Sequence, residues 1–417
     1  MTHALIVGGG IAGAVTAMAL RKAGIGSTVY EAYETGADDV GAFLVVFNNG
    51  LEALRTVDAH QPVLDAAFPA EHVELLSHTG QLLGSRPSSG TAPVPGTEGE
   101  HARAVLGPHT LKRATLYRVL HDEAARRGVT IEHGKRLTTA EQHPDGAVTA
   151  HFADGTSATG DLLIGADGIH STTRALIDPG APRPRHTGQT TVCGYARGVG
   201  PEATPPPATY RMVFGKRAFL GCTLAPDGEV WWFANTPGEE RTRAELAAVT
   251  PAQWREHVSG LFADDDSPAA EIVRATGDGI VGSNAYDIAS TPVWHRGSMV
   301  VIGDAAHAAA PNAAQGASMA IEDSVVLAKC LRDLPDPAAA FAAYEGLRRE
   351  RVERVVADSA RMSGRSTPRP EERERRDAEV ESRTKSREAG GTGGEGSTEW
   401  LTHYRVDWDE PVTTTRS

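Results

Sequence analysis

Apolar and polar positions along the first thirty residues alternate between two periods. HALIV, from His3, is a short apolar run, GGGIAG breaks it, and AVTAMALRKAG has helix-forming composition and stops at Gly24. STVYE then resumes as an apolar strand, so His3 to about Tyr33 predicts strand, tight turn, helix, strand. A loop from Gly36 to Asn49 and a helix GLEALRTVDAH follow, and EHVELLS and QLLGS flank HTG as a hairpin. Ser85 to Gly107 is rich in Pro, Gly, Ser and Thr and reads as a mobile excursion. From Thr110, LKRATLYRVLHDEAARRG has helical spacing and closes at Gly128.

VTIEH, the strictly alternating AVTAHFADG and DLLIGADG predict strands. Thr187 to Pro237 holds four more, TTVCGYARGV, ATYRMVF, AFLGCTL and EVWWFAN, and reads as a second, β-rich domain. Helices are expected over Arg241 to Phe262, a last core strand at SMVVIG and a helix from Gln315 to Leu331. Asp336-Pro337 starts a long helix past Arg361. Beyond Arg365 the chain turns charged and then glycine-rich, which predicts a solvated helix fragment and a flexible linker. The aromatic TEWLTHYRVDWDEP is expected to pack back onto the body, and no internal repeat is visible.

Composition narrows the partners. The 417 residues are 40% hydrophobic and 23% charged, ordinary for a globular protein of two or three domains. A net charge of −13 argues against broad nucleic-acid or anionic-membrane binding, while leaving room for a local basic pocket. Cys193, Cys222 and Cys330 have no metal-like spacing, so no metal is expected and reduced thiols in a cytoplasmic protein are the default. No signal peptide is visible and no apolar run has membrane-spanning length.

Three segments carry candidate chemistry. Gly8, Gly10 and Gly13, with Ile11 and Ala12 between, form G-x-G-x-x-G between a strand and a helix. Such a turn lets backbone and helix N-terminus approach a pyrophosphate. Glu31 ends the next strand, at the spacing of an acid that holds ribose hydroxyls. Gly277, Gly279 and Gly282 match the same pattern, but SNAYDIASTP after them is a poor helix, and GDGIVG reads as a loop. The second segment is Asp167-Gly168, after DLLIGA, which alone reads as a strand-to-helix turn. The third is Gly303-Asp304 in VVIGDAAHAAAPNAAQGASMAIED.

Together these segments resemble the single-component (group A) FAD-dependent aromatic-ring monooxygenases, the para-hydroxybenzoate hydroxylase-like family. The motif style is nearest its urate-hydroxylating and tetracycline-inactivating members. The resemblance covers the chain up to about Gly364. It implies an α/β fold: a Rossmann-like FAD-binding domain, three-layered with a mostly parallel sheet, a β-sheet substrate domain over one face of the cofactor, and C-terminal helices. The expected division is 1–80, 108–182 and 290–364 for FAD, 183–289 for substrate, 365–397 for the linker and 398–417 for the tail.

The resemblance also assigns roles. Asp304 would accept hydrogen bonds from the ribityl chain, as a carboxylate can from several O–H donors. Pro311 would lie beside the flavin ring. Gln315, Gly316 and Ala317 would open a helix whose N–H groups stabilise negative charge near N1. Ala314 stands where many relatives have glycine, which leaves the local geometry open. Asp167 would lie near FAD, with Ser171 and Arg174 continuing the family's helix. Arg174 is equally readable as a surface ion pair. Arg113, in LKRATL, would contact FAD or else stay a helix-surface charge. Arg217, in GKRAFLG, would sit beside flavin N5 or else be a hairpin-turn charge. His307 is either a catalytic base or a structural histidine under the loop. Of Trp231, Trp232 and Phe233, one face would line the pocket and at least one residue would pack in the core.

The implied reaction uses NADPH or NADH to reduce FAD, adds dioxygen as a C4a-hydroperoxide and transfers one oxygen to an electron-rich aromatic or polyketide-like small molecule. No separate nicotinamide domain is visible, which suits this family. A halogenase would need W-x-W-x-I-P, which EVWWFANTP does not match. Epoxidation, Baeyer–Villiger oxygenation or a non-hydroxylating accessory role stay open, as does monomer against homodimer.

Overall fold

The computed structural model describes residues 2–35, 42–89, 106–365, 370–388 and 399–413. The opening run folds as β1 (His3–Val7), α1 (Ile11–Lys22) and β2 (Gly26–Tyr30), with the strands parallel from His3 against Gly26 to Val7 against Tyr30. Within the predicted loop Gly36–Asn49, β3 (Phe43–Val46) forms, and residues 36–41 lie outside the described part. The next helix divides at Asp58, whose φ is +59°, into α2 (Asn48–Thr56) and α3 (His60–Asp65).

β4 (Phe68–Pro69) precedes the predicted hairpin, β5 (His72–Ser77) and β6 (Leu82–Pro87). Most of the Pro- and Gly-rich excursion lies outside the described residues. The helix predicted from Thr110 starts only at Arg113: β7 (His109–Lys112) comes first, pairing with β3, and α4 (Arg113–Arg126) follows. Cross-strand pairing of Thr110 and Leu111 with Val45 and Leu44 overrides the helical period there.

The chain continues as β8 (Thr130–Glu132), β9 (Leu137–Gln142), β10 (Val148–Phe152), β11 (Ser157–Gly160), β12 (Leu162–Gly165) and α5 (Thr172–Ile177). β9 and β11 are too polar to announce themselves and form by antiparallel pairing with β10. The β-rich stretch supplies β13 (Arg185–Ala196), β14 (Thr209–Phe214), β15 (Phe219–Leu224) and β16 (Val230–Pro237). After α6 (Arg243–Ala248), α7 (Pro251–Leu261) and α8 (Ala269–Arg274), GDGIVG lies inside β17 (Thr276–Asp287). The loop read there is thus a strand, paired with β13. Gly282 suits a close approach, since a Cβ there would lie 2.3 Å from the Trp254 ring.

The last elements are β18 (His295–Arg296), β19 (Met299–Val301), α9 (Asp304–His307), a 3-10 turn Pro311–Ala313, α10 (Gly316–Asp333), α11 (Pro337–Arg365), α12 (Pro370–Glu388) and α13 (Glu399–Thr402). Asp336 caps α11 by accepting from the N–H groups of Ala338 and Ala339.

Two sheets organise the molecule. The first runs β18-β19-β12-β1-β2-β8, parallel except at β18. Helices α1 and α10 pack on each other, and Ser324 of α10 is close enough to accept from Thr16 Oγ1 at 2.9 Å and to donate to the Ala12 carbonyl at 3.0 Å. The second runs β17-β13-β16-β15-β14-β5-β6. The hairpin β5-β6 therefore belongs to this second sheet, although its sequence position up to residue 80 points to the first; β5 completes the sheet by pairing in parallel with β14. The aromatic tail packs back: the carbonyls of Trp400 and Leu401 accept from Arg351, and that of Trp408 accepts from Arg332. No described helix is long and apolar enough to cross a membrane.

Candidate cofactor and substrate site

The turn after β1 is built by close approach. Gly8 has φ +102°, and a Cβ on it would lie 2.4 Å from the Ala166 carbonyl oxygen. A Cβ on Gly13 would lie 1.9 Å from the Gly8 carbonyl oxygen. Gly10, the N-cap of α1, has no side-chain cap and faces open space, with Ile11 and Ala12 beginning the helix. The first-turn N–H groups of α1 thus face a space that accepts an anion. Glu31 is buried at the edge of this turn, and its carboxylate accepts from Gly9 N–H at 2.6 Å and Tyr33 N–H at 3.0 Å. His121, on α4, contacts the Gly9 carbonyl and stacks on Tyr117, with no signal in sequence. Burial lowers its pKa, which favours the neutral ring.

Asp167 sits next to Gly8 in space, but its carboxylate turns inward. It accepts from Ser171 Oγ at 2.5 Å, Thr173 N–H at 2.9 Å and Thr173 Oγ1 at 3.0 Å. The side chain caps α5, with Ser171 as the N-cap, so the backbone borders the dinucleotide turn while the carboxyl is already satisfied. Burial pushes this carboxyl up. Arg174 is not a surface charge. It is buried, donating to the carbonyls of Ala305 at 2.9 Å and Ile169 at 2.7 Å.

Gly303 has φ +56° and donates its N–H to Asp323 at 2.9 Å. Asp304, half-buried at the start of α9, accepts no hydrogen bond within the described residues, and its Oδ1 lies 3.8 Å from where a Gly316 Cβ would be. An unpaired carboxylate therefore stands beside the N-terminus of α10, where Gln315 is the N-cap and Gly316 and Ala317 follow. Ala314 does adopt the left-handed conformation, φ +52°. Pro311 opens the 3-10 turn, which α11 braces through Ser359 Oγ to the Ala310 carbonyl at 2.6 Å and Ala313 N–H to Ser359 Oγ at 3.2 Å.

Behind this loop lies a buried ionic cluster that the sequence reading missed. Asp323 accepts from His307 Nε2 at 2.5 Å and Arg348 Nε at 2.7 Å. Glu322 accepts from Arg348 at 2.5 Å, Arg351 at 2.9 Å and Asn49 Nδ2 at 2.6 Å, and Asn49 also reaches Gln315 Oε1 at 3.2 Å. His307 is thereby corrected from catalytic base to structural anchor, since its Nε2 is fixed on Asp323 in the interior. Two adjacent acids in the apolar run MAIEDSVVLA were the available signal, because a buried acid needs partners.

The second sheet presents an aromatic face to this loop. Tyr195, Tyr210, Met212, Phe214, Phe219, Trp231 and Phe233 share it by alternation and register. Phe43 of β3 reaches across, with its ring 6.1 Å from Phe233 and 5.7 Å from Trp231. Phe219 lies 6.1 Å from Phe233 and 5.3 Å from Phe214. Trp232 points the other way into the core, donating to Thr276 Oγ1 at 2.8 Å. Asn235 fastens this sheet to the loop, 2.5 Å from Asn312 Oδ1.

Arg217 takes the hairpin-turn position that was one of its two readings. It lies in the β14–β15 turn, exposed, and pairs with Asp264 and the Gly260 carbonyl at the far side of α7. Arg113 opens α4 with an exposed side chain that has no partner within the described residues. The three cysteines are free and buried, and burial pushes each thiol up to about 12.

These features fit a flavin dinucleotide. A helix N-terminus with no acid in its first turn and the Asp304 carboxylate, which has no partner among the described residues, suit its phosphates and its hydroxyls. Comparison with known proteins agrees. Residues 1–359 match the family described as FAD binding domain. The chain is 30% identical over 364 residues to the aurachin C monooxygenase/isomerase of Stigmatella aurantiaca, covering 86% of this chain and 88% of that one. It is 33% identical over 362 residues to the 3-amino-4-hydroxybenzoate 2-monooxygenase PtnB3 of Streptomyces platensis, covering 84% and 85%. The solved structure of Klebsiella pneumoniae HpxO complexed with FAD and uric acid superposes with a TM-score of 0.80 at 27% identity, covering 94% of this chain and 95% of that one.

Proposed function

The chain belongs to the FAD-binding-domain family of flavoprotein monooxygenases and is an FAD-dependent monooxygenase, and from that premise we propose that it uses NADPH or NADH and dioxygen to hydroxylate an electron-rich aromatic or polyketide-like small molecule. The observation that carries the substrate reading is the aromatic face of the second sheet, tied by Asn235 to the Pro311–Ala313 turn.

In this reading the turn Gly8–Gly13 and the N-terminus of α1 receive the pyrophosphate, and Glu31 and Arg113 flank the adenosine end. The Asp304 carboxylate accepts ribityl hydroxyls. The α10 N-terminus, with Gln315, Gly316 and Ala317, faces the pyrimidine edge and favours negative charge there. Pro311 borders the ring. When bound and reduced, the flavin would supply the activation of dioxygen, one atom of which enters the substrate while the other leaves as water.

The protein's own part is orientation and exclusion of water. Phe43, Phe214, Phe219 and Phe233 present ring faces and edges against which a planar substrate stacks. Burial raises the pKa of Tyr195 and Tyr210 and pushes the Cys193 thiol up to about 12. All three stay protonated at neutral pH, so the wall orients the substrate without setting an anion beside it. The residues expected around the cofactor and the relatives' printed activities on aromatic compounds support the same reading.

The test is the visible spectrum of the purified protein, followed by anaerobic addition of NADPH or NADH with and without phenolic compounds. Oxidised flavin that bleaches faster with one compound, and a product heavier by one oxygen atom in air, is expected. Flavin that stays oxidised with both nicotinamides overturns the reading.

A further inference from the structure

The aromatic face does not end at the sheet. Helix α12, which the composition predicts to be solvated, packs against β6 at the sheet's edge. It lies beyond residue 359, where the family match stops. Arg373, Arg376, Asp377, Val380 and Glu381 recur at helical spacing and are the half-buried positions among its described side chains. The Arg376 guanidinium sits over the Phe214 ring, 4.6 Å from its centroid. It therefore caps an unbroken series of rings, Phe214 to Phe219 at 5.3 Å, Phe219 to Phe233 at 6.1 Å and Phe233 to Phe43 at 6.1 Å. Phe219 lies in register with Asn235, the residue fastened to Asn312. One strip of surface thus joins Arg376 to the Pro311–Ala313 turn.

The hydrogen bonding of Arg376 is incomplete. Its side chain is only 10% exposed. Nε and Nη2 both donate to the same Asp377 oxygen, at 2.9 and 2.7 Å. Nη1 is buried and has no partner among the described residues, and neither does Nε of Arg373 one turn earlier. A buried guanidinium donor without an acceptor is costly, and an anionic oxygen is its best complement. The rings of Phe219 and Phe233 continue the wall from that donor and offer aromatic surface beside it.

We propose that Arg376 is a specificity-determining residue, and that the substrate is an aromatic compound whose ring stacks along Phe214, Phe219 and Phe233 while a carboxylate on it pairs with Arg376. The inference rests on the proposed function in one respect, that this wall holds the substrate. Its consequence is discrimination by charge. An aromatic carboxylate binds, and its neutral carboxamide of the same shape binds much more weakly.

The test is calorimetric titration of the FAD-loaded full chain with benzoate and naphthoate and with the matching carboxamides. A preference for the carboxylates of about tenfold or more is expected, equal to about 1.4 kcal/mol. Arg376→Gln is expected to abolish the preference by weakening the carboxylates alone, and Arg376→Lys to narrow it, since an ammonium lacks the planar fork. No preference in the natural protein, including no binding of either class, overturns the proposal. So does a preference that survives in Arg376→Gln or, if that variant fails to fold, is undiminished in Arg376→Lys. Flavin content and bleaching by NADPH in the same preparations, without any aromatic compound, report separately on the monooxygenase reading.

Discussion

Arg174 Nη1 lies 2.9 Å from the carbonyl oxygen of Ala305, and this bond ties the two Gly-Asp segments into one piece. Its other arm holds the Ile169 carbonyl, so one buried side chain satisfies acceptors on both. Arg174→Ala would leave two carbonyls without donors, a loss of about 2–4 kcal/mol. Arg174→Lys would not restore it, because one ammonium lacks the fork that spans both. Urea unfolding of the two variants checks this; recovery by lysine to the natural stability would refute the bridging role.

Asp304 is the opposite case. With no hydrogen bond among the described residues, its carboxylate holds no partner in the fold that Ala would release. Asp304→Ala should leave the unfolding of flavin-free protein unchanged within about 0.5 kcal/mol. FAD affinity should fall by about 10- to 100-fold, the worth of one or two charge-assisted hydrogen bonds. Fluorescence titration of the apoprotein with FAD gives the answer, and equal affinity in both proteins would remove Asp304 from the cofactor site.

Asp323 links the fold to pH. Burial pushes its carboxyl up, but the charges of His307 and Arg348 and their hydrogen bonds outweigh this and hold it below its usual 3.8. A depressed native pKa stabilises the fold above the unfolded value, and that stabilisation is lost as pH falls through the native one. Asp323→Asn should therefore cost about 3–5 kcal/mol at neutral pH. The gap should begin to shrink below about pH 4. Denaturant unfolding of both proteins at pH 7 and pH 3 measures it, and a gap of constant size would exclude the ionised pairing.

Ala314 holds φ +52° beside the flavin loop. An alanine there costs about 1 kcal/mol or more relative to glycine, offset in part by the greater freedom of glycine in the unfolded chain. Ala314→Gly should be neutral or stabilising by up to about 1 kcal/mol, read from the melting temperature of the FAD-free protein. A loss above that size would mean the alanine methyl makes a contact worth more than the strain.

Much of this was legible in the chain. G-x-G-x-x-G announced the dinucleotide turn because its glycines answer to backbone contacts a few residues away, as at Gly8 and Gly13. The individual strands and the β-rich stretch followed from local apolar periods, and the parallel sheet from the family resemblance. What failed depended on distant partners. Glycines 277, 279 and 282 sit in a strand because β17 pairs with β13, with Gly282 opposite Val192 and under Trp254. Arg217 sits in the hairpin turn that the sequence offered as one of two readings, and its partner Asp264, 47 residues on, has no local cue. Glu322 and Asp323 gain meaning only when α11 folds back and brings Arg348 and Arg351. His121 meets Gly9 from a helix more than a hundred residues on, with no local cue.

The strand order has a consequence for how the protein is made. β1 leaves the ribosome first, yet it lies between β12 and β2, and β12 in turn waits for β19. The loop after β19 is then braced by Asp323 and by Ser359 of α11, which are translated later still. Cofactor loading is therefore a late event, open only to a nearly finished polypeptide. Nascent chains arrested before Met299 should retain no flavin, and those extended beyond Arg365 should retain it.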